Sequence, residues 1–129
     1  MTDFFLVTFF GVIVLGGIFL LFRKKQKLTP ENFALFRKKI NETKNLAPPH
    51  ALFEAHKLFI SAVATLFPTS KDPAIKMLQR VSKRFPNEEK IWQLHKLRNR
   101  VAHERDCKVS SLKAEEAREE FIKALEALL

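Results

Sequence analysis

The sequence of 129 residues contains no tyrosine, only one cysteine and only three glycines, with no glycine after Gly17. Hairpin turns depend on glycine or asparagine at positive φ, whereas proline ends one helix and suits the first turn of the next. The distribution of glycine therefore argues against a β-sheet. The single cysteine, Cys107, excludes an internal disulfide framework and a zinc site built from several cysteines.

Six prolines, all between residues 30 and 86, divide the rest of the chain into helical segments. Thr29 followed by Pro30 is typical of a helix start, and Asp72 followed by Pro73 repeats this order of capping residue and proline. Ser110 or Ser111 can cap the last helix. We predict an all-α fold, a four- to five-helix antiparallel bundle over residues 30–129. The predicted helices run from Pro30 to about Lys44, from His50 to Phe67, from Asp72-Pro73 through Phe85, from Glu88 to about Glu104, and from Ser110 or Ser111 onward. The apolar face of the last helix is expected to contain Leu112, Phe121, Ala124, Leu125 and Leu128.

Residues 4–22 contain 19 consecutive uncharged residues, most of them Phe, Leu, Val or Ile. A helix of this length and composition is typical of a transmembrane segment. The basic residues follow the apolar run, at residues 23–27, and the positive-inside rule then puts the C-terminus in the cytoplasm. We therefore expect a single-pass cell-membrane protein with its N-terminus outside and its C-terminal domain cytoplasmic, anchored in the lipid bilayer through residues 4–22.

The predicted organisation has three parts: residues 1–22 are the N-terminal transmembrane anchor, 23–29 a basic juxtamembrane linker and 30–129 the helical bundle. All 23 Lys and Arg residues lie after Phe22, together with 13 of the 14 acidic residues. This positive charge would attract anionic lipid head groups or the phosphates of RNA. Composition does not separate these two partners.

The helix predicted from Glu88 contains an arginine inside its apolar face. At 100° per residue, Arg98 falls among the apolar residues, and His95, Asn99 and His103 form a polar ridge beside them. A buried guanidinium is costly unless it is paired. One explanation is an ion pair with a carboxylate such as Glu54 on the preceding long helix.

Residues 95–104, HKLRNRVAHE, also resemble the signature of the HEPN superfamily of small helical domains. In that superfamily a late helix carries an arginine, then a polar residue, then a histidine four to six residues beyond the arginine. Arg98, Asn99 and His103 match these positions. The resemblance covers about residues 30–129, so that the domain is identified as HEPN-like, and the N-terminal anchor is an addition to the superfamily's pattern.

The resemblance implies a metal-independent endoribonuclease or RNA-binding protein, with no cofactor, whose site forms in a homodimer through the helix carrying Arg98 and His103. Its catalytic residues would be Arg98 as the phosphate clamp, His103 as general acid or base, and Asn99 as the polar group that orients either. Whether the chain is an enzyme stays open. The alternative is a noncatalytic, membrane-tethered helical interaction module in which Arg98 and His103 have a structural role.

Overall fold

The computed structural model describes residues 2–22 and 26–129, with side chains for 2–18 and 26–129. Within these ranges the chain is helical and contains no strand, which confirms the all-α prediction. The described part has six α-helices and two short 3₁₀ turns. In chain order the elements are α1 Thr2–Phe22, α2 Pro30–Glu42, a 3₁₀ turn at Thr43–Asn45, α3 Pro48–Ala64, α4 Ala74–Val81, a 3₁₀ turn at Ser82–Arg84, α5 Glu88–His103 and α6 Ser111–Glu126.

The predicted N-terminal transmembrane anchor over residues 4–22 is wrong. Of the helices in the described ranges, none has both the length and the apolar character that crossing a membrane requires. Residues 23–25 of the predicted basic linker lie outside the described residues.

Two helix starts follow the capping pattern seen in the sequence. The Thr29 hydroxyl accepts a hydrogen bond from the Asn32 backbone N–H at 3.1 Å, with Pro30 in the first turn of α2. The Ser110 hydroxyl likewise accepts from the Lys113 backbone N–H at 3.1 Å at the start of α6. Each bond satisfies one of the N–H groups that a helix N-terminus leaves without a partner.

Helix α5 begins at Glu88 as predicted, and the starts of α3 and α4 differ from the expected positions. Helix α3 begins at Pro48 rather than His50, because both prolines fit in the first turn, where a backbone N–H is not needed. At α4 the predicted cap, Asp72, does not cap the helix, and its carboxylate pairs with Arg80 instead. Helix α3 therefore starts two residues earlier than expected. Helix α4 ends at Val81, where the 3₁₀ turn Ser82–Arg84 replaces the α-helix expected through Phe85.

Helix α3 lies at the centre of the core and packs against α2, α4, α5 and α6. Seven of its residues are buried, more than in any other helix of the described part of the chain. The Phe59 ring stacks on the Phe121 ring of α6 with 4.8 Å between centroids. Leu112, expected on the apolar face of α6, is 78% exposed, so that face begins later in the helix.

Candidate functional site

A cleft of about 790 Å³ lies between α3 and α5, beside the start of α4. Its walls are partly apolar, from Phe53 and Ile60 of α3 and Ile75 of α4, and its polar groups come from α3 and α5. These polar side chains are His50, Glu54, His56, Lys57, Ser61, His95, Arg98 and Asn99. Convergence of several polar groups in one partly apolar cleft is typical of a binding site.

Helix α5 contributes three side chains to the cleft, those of His95, Arg98 and Asn99. Arg98 and Asn99 follow His95 by three and four residues. Residues at this spacing share a face of an α-helix. Ile91 and Leu94, buried on the neighbouring stripe, hold α5 against the core and so fix the direction of that face. The cleft thus brings together two of the three site residues predicted from the sequence, Arg98 and Asn99.

The Arg98 guanidinium is half-buried and lies over the Phe53 ring, with its central carbon 5.3 Å from the ring centroid. Its Nη1 donates a hydrogen bond to Oδ1 of Asn99 at 3.3 Å, and its buried Nε–H has no hydrogen-bond partner in the described part of the chain. The expected ion pair with Glu54 is not formed. Among the described residues, no carboxylate lies within 4.0 Å of Arg98, although Glu54 lines the same cleft.

A pair of histidines from different helices forms the inner end of the cleft. Nε2 of His56 on α3 lies 3.0 Å from Nδ1 of His95 on α5. Nε2 of His95 lies in turn 3.4 Å from Nδ2 of Asn99, one helical turn further along α5. The Phe121 ring packs edge-on against His56 at 5.8 Å, and Trp92 packs edge-on against His95 at the same distance.

Both histidines of this pair are held in the neutral form. Burial lowers the pKa of His56 to about 4, with further lowering from the positive charge that His95 and Arg98 can carry. Burial also lowers the pKa of His95, again with a contribution from Arg98. At neutral pH two uncharged imidazoles therefore lie beside the charged guanidinium of Arg98.

His103, the third predicted site residue, is exposed at the last position of α5 and does not line the cleft. It follows Arg98 by five residues, which turns the two side chains about 140° apart around the helix. One chain therefore presents Arg98 inside the cleft and His103 at the open end of the same helix.

The sequence reasoning did not include His56 in the site. It lies 39 residues before His95, and only the packing of α3 against α5 joins them. The sequence feature that could have indicated His56 as a site residue is that it is one of few polar residues on an otherwise apolar helix. Over the described residues, no group of three His, Cys, Asp or Glu side chains could hold a metal ion.

Comparison of the chain with protein-family models, with curated proteins and with solved structures found no match. The HEPN resemblance consequently depends on the motif in α5 and on the helical architecture.

Proposed function

We propose that this chain is a HEPN-like RNA-binding protein that holds an RNA phosphate on Arg98, and that it cleaves RNA without a metal ion. The observation that carries this proposal is the half-buried guanidinium of Arg98, which lies in a cleft without a carboxylate partner among the described residues. An enclosed cation is costly unless it is paired, and a phosphate accepts a bidentate pair of hydrogen bonds from arginine.

The charge of the surrounding chain supports an anionic ligand. Residues 23–108 carry 20 basic and 8 acidic side chains, a net charge of plus twelve. Among the described residues that line the cleft, the two basic side chains Lys57 and Arg98 accompany one carboxylate, that of Glu54. A surplus of this size attracts the phosphate backbone of a nucleic acid and makes the affinity fall steeply with salt.

The chemistry that these residue types can perform is attack of a ribose 2′-hydroxyl on the adjacent phosphorus. The new P–O2′ bond forms as the P–O5′ bond breaks, leaving a 2′,3′-cyclic phosphate, while one group takes the 2′ proton and another protonates O5′. His103 would serve as general acid or base, Arg98 would hold the phosphate, and Asn99 would orient the guanidinium.

A second copy of the chain would allow Arg98 and His103 to act on the same phosphate. Because Arg98 and His103 project about 140° apart from one helix, they do not converge on one phosphate from the same side. His103 is exposed at the end of α5 and so is open to another molecule. In a homodimer through α5, His103 of one copy would approach a phosphate held by Arg98 of the other.

Binding is tested with a fluorescently labelled single-stranded RNA and the full chain, followed by anisotropy at several salt concentrations. Arg98→Ala should weaken binding about tenfold or more and should lower the slope against log salt by about one. Arg100→Ala is the matched control, since it removes the same charge from the exposed side of the same helix. Equal losses for the two variants, or no RNA binding by the wild type, would overturn the proposed site.

Cleavage is tested separately, in the presence of a chelator. The wild type should produce fragments with a cyclic phosphate and should leave a 2′-O-methyl RNA intact, because that RNA lacks the attacking hydroxyl. His103→Ala should reduce the rate about 10²-fold or more while the helical circular dichroism spectrum stays unchanged. If the wild type binds RNA but does not cleave it, the proposed ribonuclease activity is wrong.

The second candidate function is a noncatalytic interaction module, favoured by the His56–His95 contact that joins α3 to α5. If the motif only stabilises the bundle, Arg98→Ala should lower the unfolding temperature with no RNA binding to lose. Unfolding temperature and RNA anisotropy for wild type and Arg98→Ala distinguish the two functions.

A further inference from the structure

Four side chains of the cleft form a continuous series of polar contacts that crosses from α5 to α3. Nη1 of Arg98 meets Oδ1 of Asn99 at 3.3 Å, Nδ2 of Asn99 meets Nε2 of His95 at 3.4 Å, and Nδ1 of His95 meets Nε2 of His56 at 3.0 Å. Each contact uses one donor and one acceptor. The direction of the first contact therefore determines the direction of the others.

Arginine has only donors, so the side-chain oxygen of Asn99 must face Arg98. The amide nitrogen of Asn99 then faces His95 and can only donate. Nε2 of His95 must accept this bond and carries no proton. A neutral imidazole has one N–H, which in His95 must be on Nδ1.

The same reasoning extends to the second histidine. Nδ1–H of His95 donates to Nε2 of His56, so the proton of neutral His56 is on its Nδ1. Both rings then have the Nδ1–H tautomer, which is the less common one for histidine in water. The contacts require this arrangement as long as the two rings are neutral, and burial lowers the pKa of each.

Protonation of His95 would break the series at Asn99. The imidazolium would present an N–H from Nε2 to the amide N–H₂ of Asn99, two donors facing each other. Turning the amide by 180° would restore that contact but would direct the N–H₂ group at Arg98. No orientation of Asn99 serves both a protonated His95 and Arg98.

We propose that His95 is a positioning residue for Arg98: its Nδ1–H tautomer holds the Asn99 amide with the oxygen toward the guanidinium and thereby keeps Arg98 set to bind a phosphate. The ligand in this statement rests on the proposed function, whereas the tautomers and the direction of the contacts do not. The effect of His95 protonation on phosphate binding is then opposite to the one that charge alone predicts. Protonating His95 adds positive charge to the cleft, and yet it weakens phosphate binding.

In the part of the chain that the structure describes, the charged and titratable groups that face the histidine pair come from α3 and α5. Helix α3 contributes His50, Glu54 and Lys57 to the cleft, and α5 contributes Arg98. Helix α6 faces His56 with the uncharged Phe121 ring, and the start of α4 contributes the apolar Ala74 and Ile75. Among these, Arg98 disfavours the protonated form of both histidines.

The tautomers are measured directly by two-bond ¹H–¹⁵N correlation spectra of the full chain with ¹⁵N-labelled histidine at neutral pH. His56 and His95 should both show the Nδ1–H pattern, and the exposed His50 and His103 provide the comparison in the same spectrum. Nε2–H on His95 in the wild type would overturn the proposal. This result does not depend on whether the protein binds RNA.

Asn99→Asp tests the same point with a near-isosteric change. A carboxylate accepts from both sides, so His95 becomes free to donate from Nε2 and to take up a second proton. The variant should convert His95 to the Nε2–H tautomer or raise its titration midpoint above that of the wild type. A His95 signal and midpoint equal to those of the wild type would contradict the proposed direction. Should the variant fail to fold, the wild-type spectrum still decides.

The functional part is tested with the labelled single-stranded RNA at constant ionic strength and decreasing pH. Wild-type affinity should fall with the midpoint of the His95 titration. His95→Gln, whose amide can accept from Asn99 and donate to His56, should lose this dependence and bind about tenfold more tightly than His95→Ala at neutral pH. Affinity that rises as His95 is protonated would refute the positioning role. If the predicted tautomers are present but the chain binds no RNA at any pH, the proposed function and the role of His95 in positioning Arg98 for a phosphate are refuted. The direction of the contacts would still be supported by the tautomers.

Discussion

His56 makes the stability of this fold depend on pH in a defined window. Burial, with contributions from His95 and Arg98, lowers its pKa to about 4 in the folded chain, whereas an unfolded histidine has a pKa of about 6.5. Between these values the unfolded chain binds a proton that the folded chain does not. The contribution of His56 to stability is therefore complete above about pH 6.5 and is lost as the pH falls toward 4.

The magnitude follows from the two pKa values. One pKa unit corresponds to about 1.4 kcal/mol, so lowering the pH from 7 to 4 should remove about 3 kcal/mol from the free energy of unfolding. For a domain with a total stability of about 5–15 kcal/mol this is a large share. His56→Gln replaces the imidazole with a neutral group, and this part of the pH-dependence should disappear with it.

The assay is unfolding by urea at pH 7, 6, 5 and 4 for the wild type and His56→Gln. The quantity compared is the difference between the two free energies of unfolding at each pH, in which the shared titration of carboxylates cancels. Val63→Ala, also on α3, is the control: it should lower the stability at every pH and retain the wild-type pH-dependence. Curves for wild type and His56→Gln that stay parallel from pH 7 to pH 4 would refute the reasoning.

Two further predictions concern α6 and use the same unfolding assay at pH 7. Phe121→Ala should cost about 3–5 kcal/mol because its ring is fully buried and stacked on Phe59, whereas Leu112→Ala on the exposed surface should change the stability by less than about 0.5 kcal/mol. Equal costs would contradict the described core. Ser110→Ala should lower the free energy of unfolding by about 1 kcal/mol because it removes the hydrogen bond from the Lys113 N–H, and Ser110→Asp should retain most of the wild-type stability. An alanine variant as stable as the wild type would argue against the cap.

The parts of the fold that sequence reasoning predicts well are those determined by neighbours along the chain. A capping hydroxyl acts on a backbone N–H three residues later, as at Thr29 and Ser110, and so the residues that form the bond are visible in a short window of sequence. The absence of glycine after residue 17 is likewise a local property that disfavours hairpins. Both led to a helical bundle with nearly correct helix starts.

The parts that differ depend on what each helix packs against. Leu112 fits the apolar periodicity of α6 but lies at its first turn, beyond the surface that the neighbouring helices cover. Asp72 has the residue type and position of a cap but forms an ion pair with Arg80. In the site, the sequence brings Arg98 and Asn99 together on one helix, whereas the contribution of His56 depends on the crossing of α3 and α5.

The acidic residues of the described structure leave Arg98 without a counter-charge. The last helix is rich in glutamate, and Glu116 accepts from Lys90 at 2.8 Å and from Lys113 at 3.0 Å, which uses its carboxylate away from the cleft. Glu54, whose carboxylate lines the cleft, is exposed and does not pair with the guanidinium. A purely structural arginine at this depth would be expected to have an acidic partner. Instead, the side chain that holds Arg98 is the neutral Asn99, which orients the guanidinium without cancelling its charge and leaves that charge available to an anion.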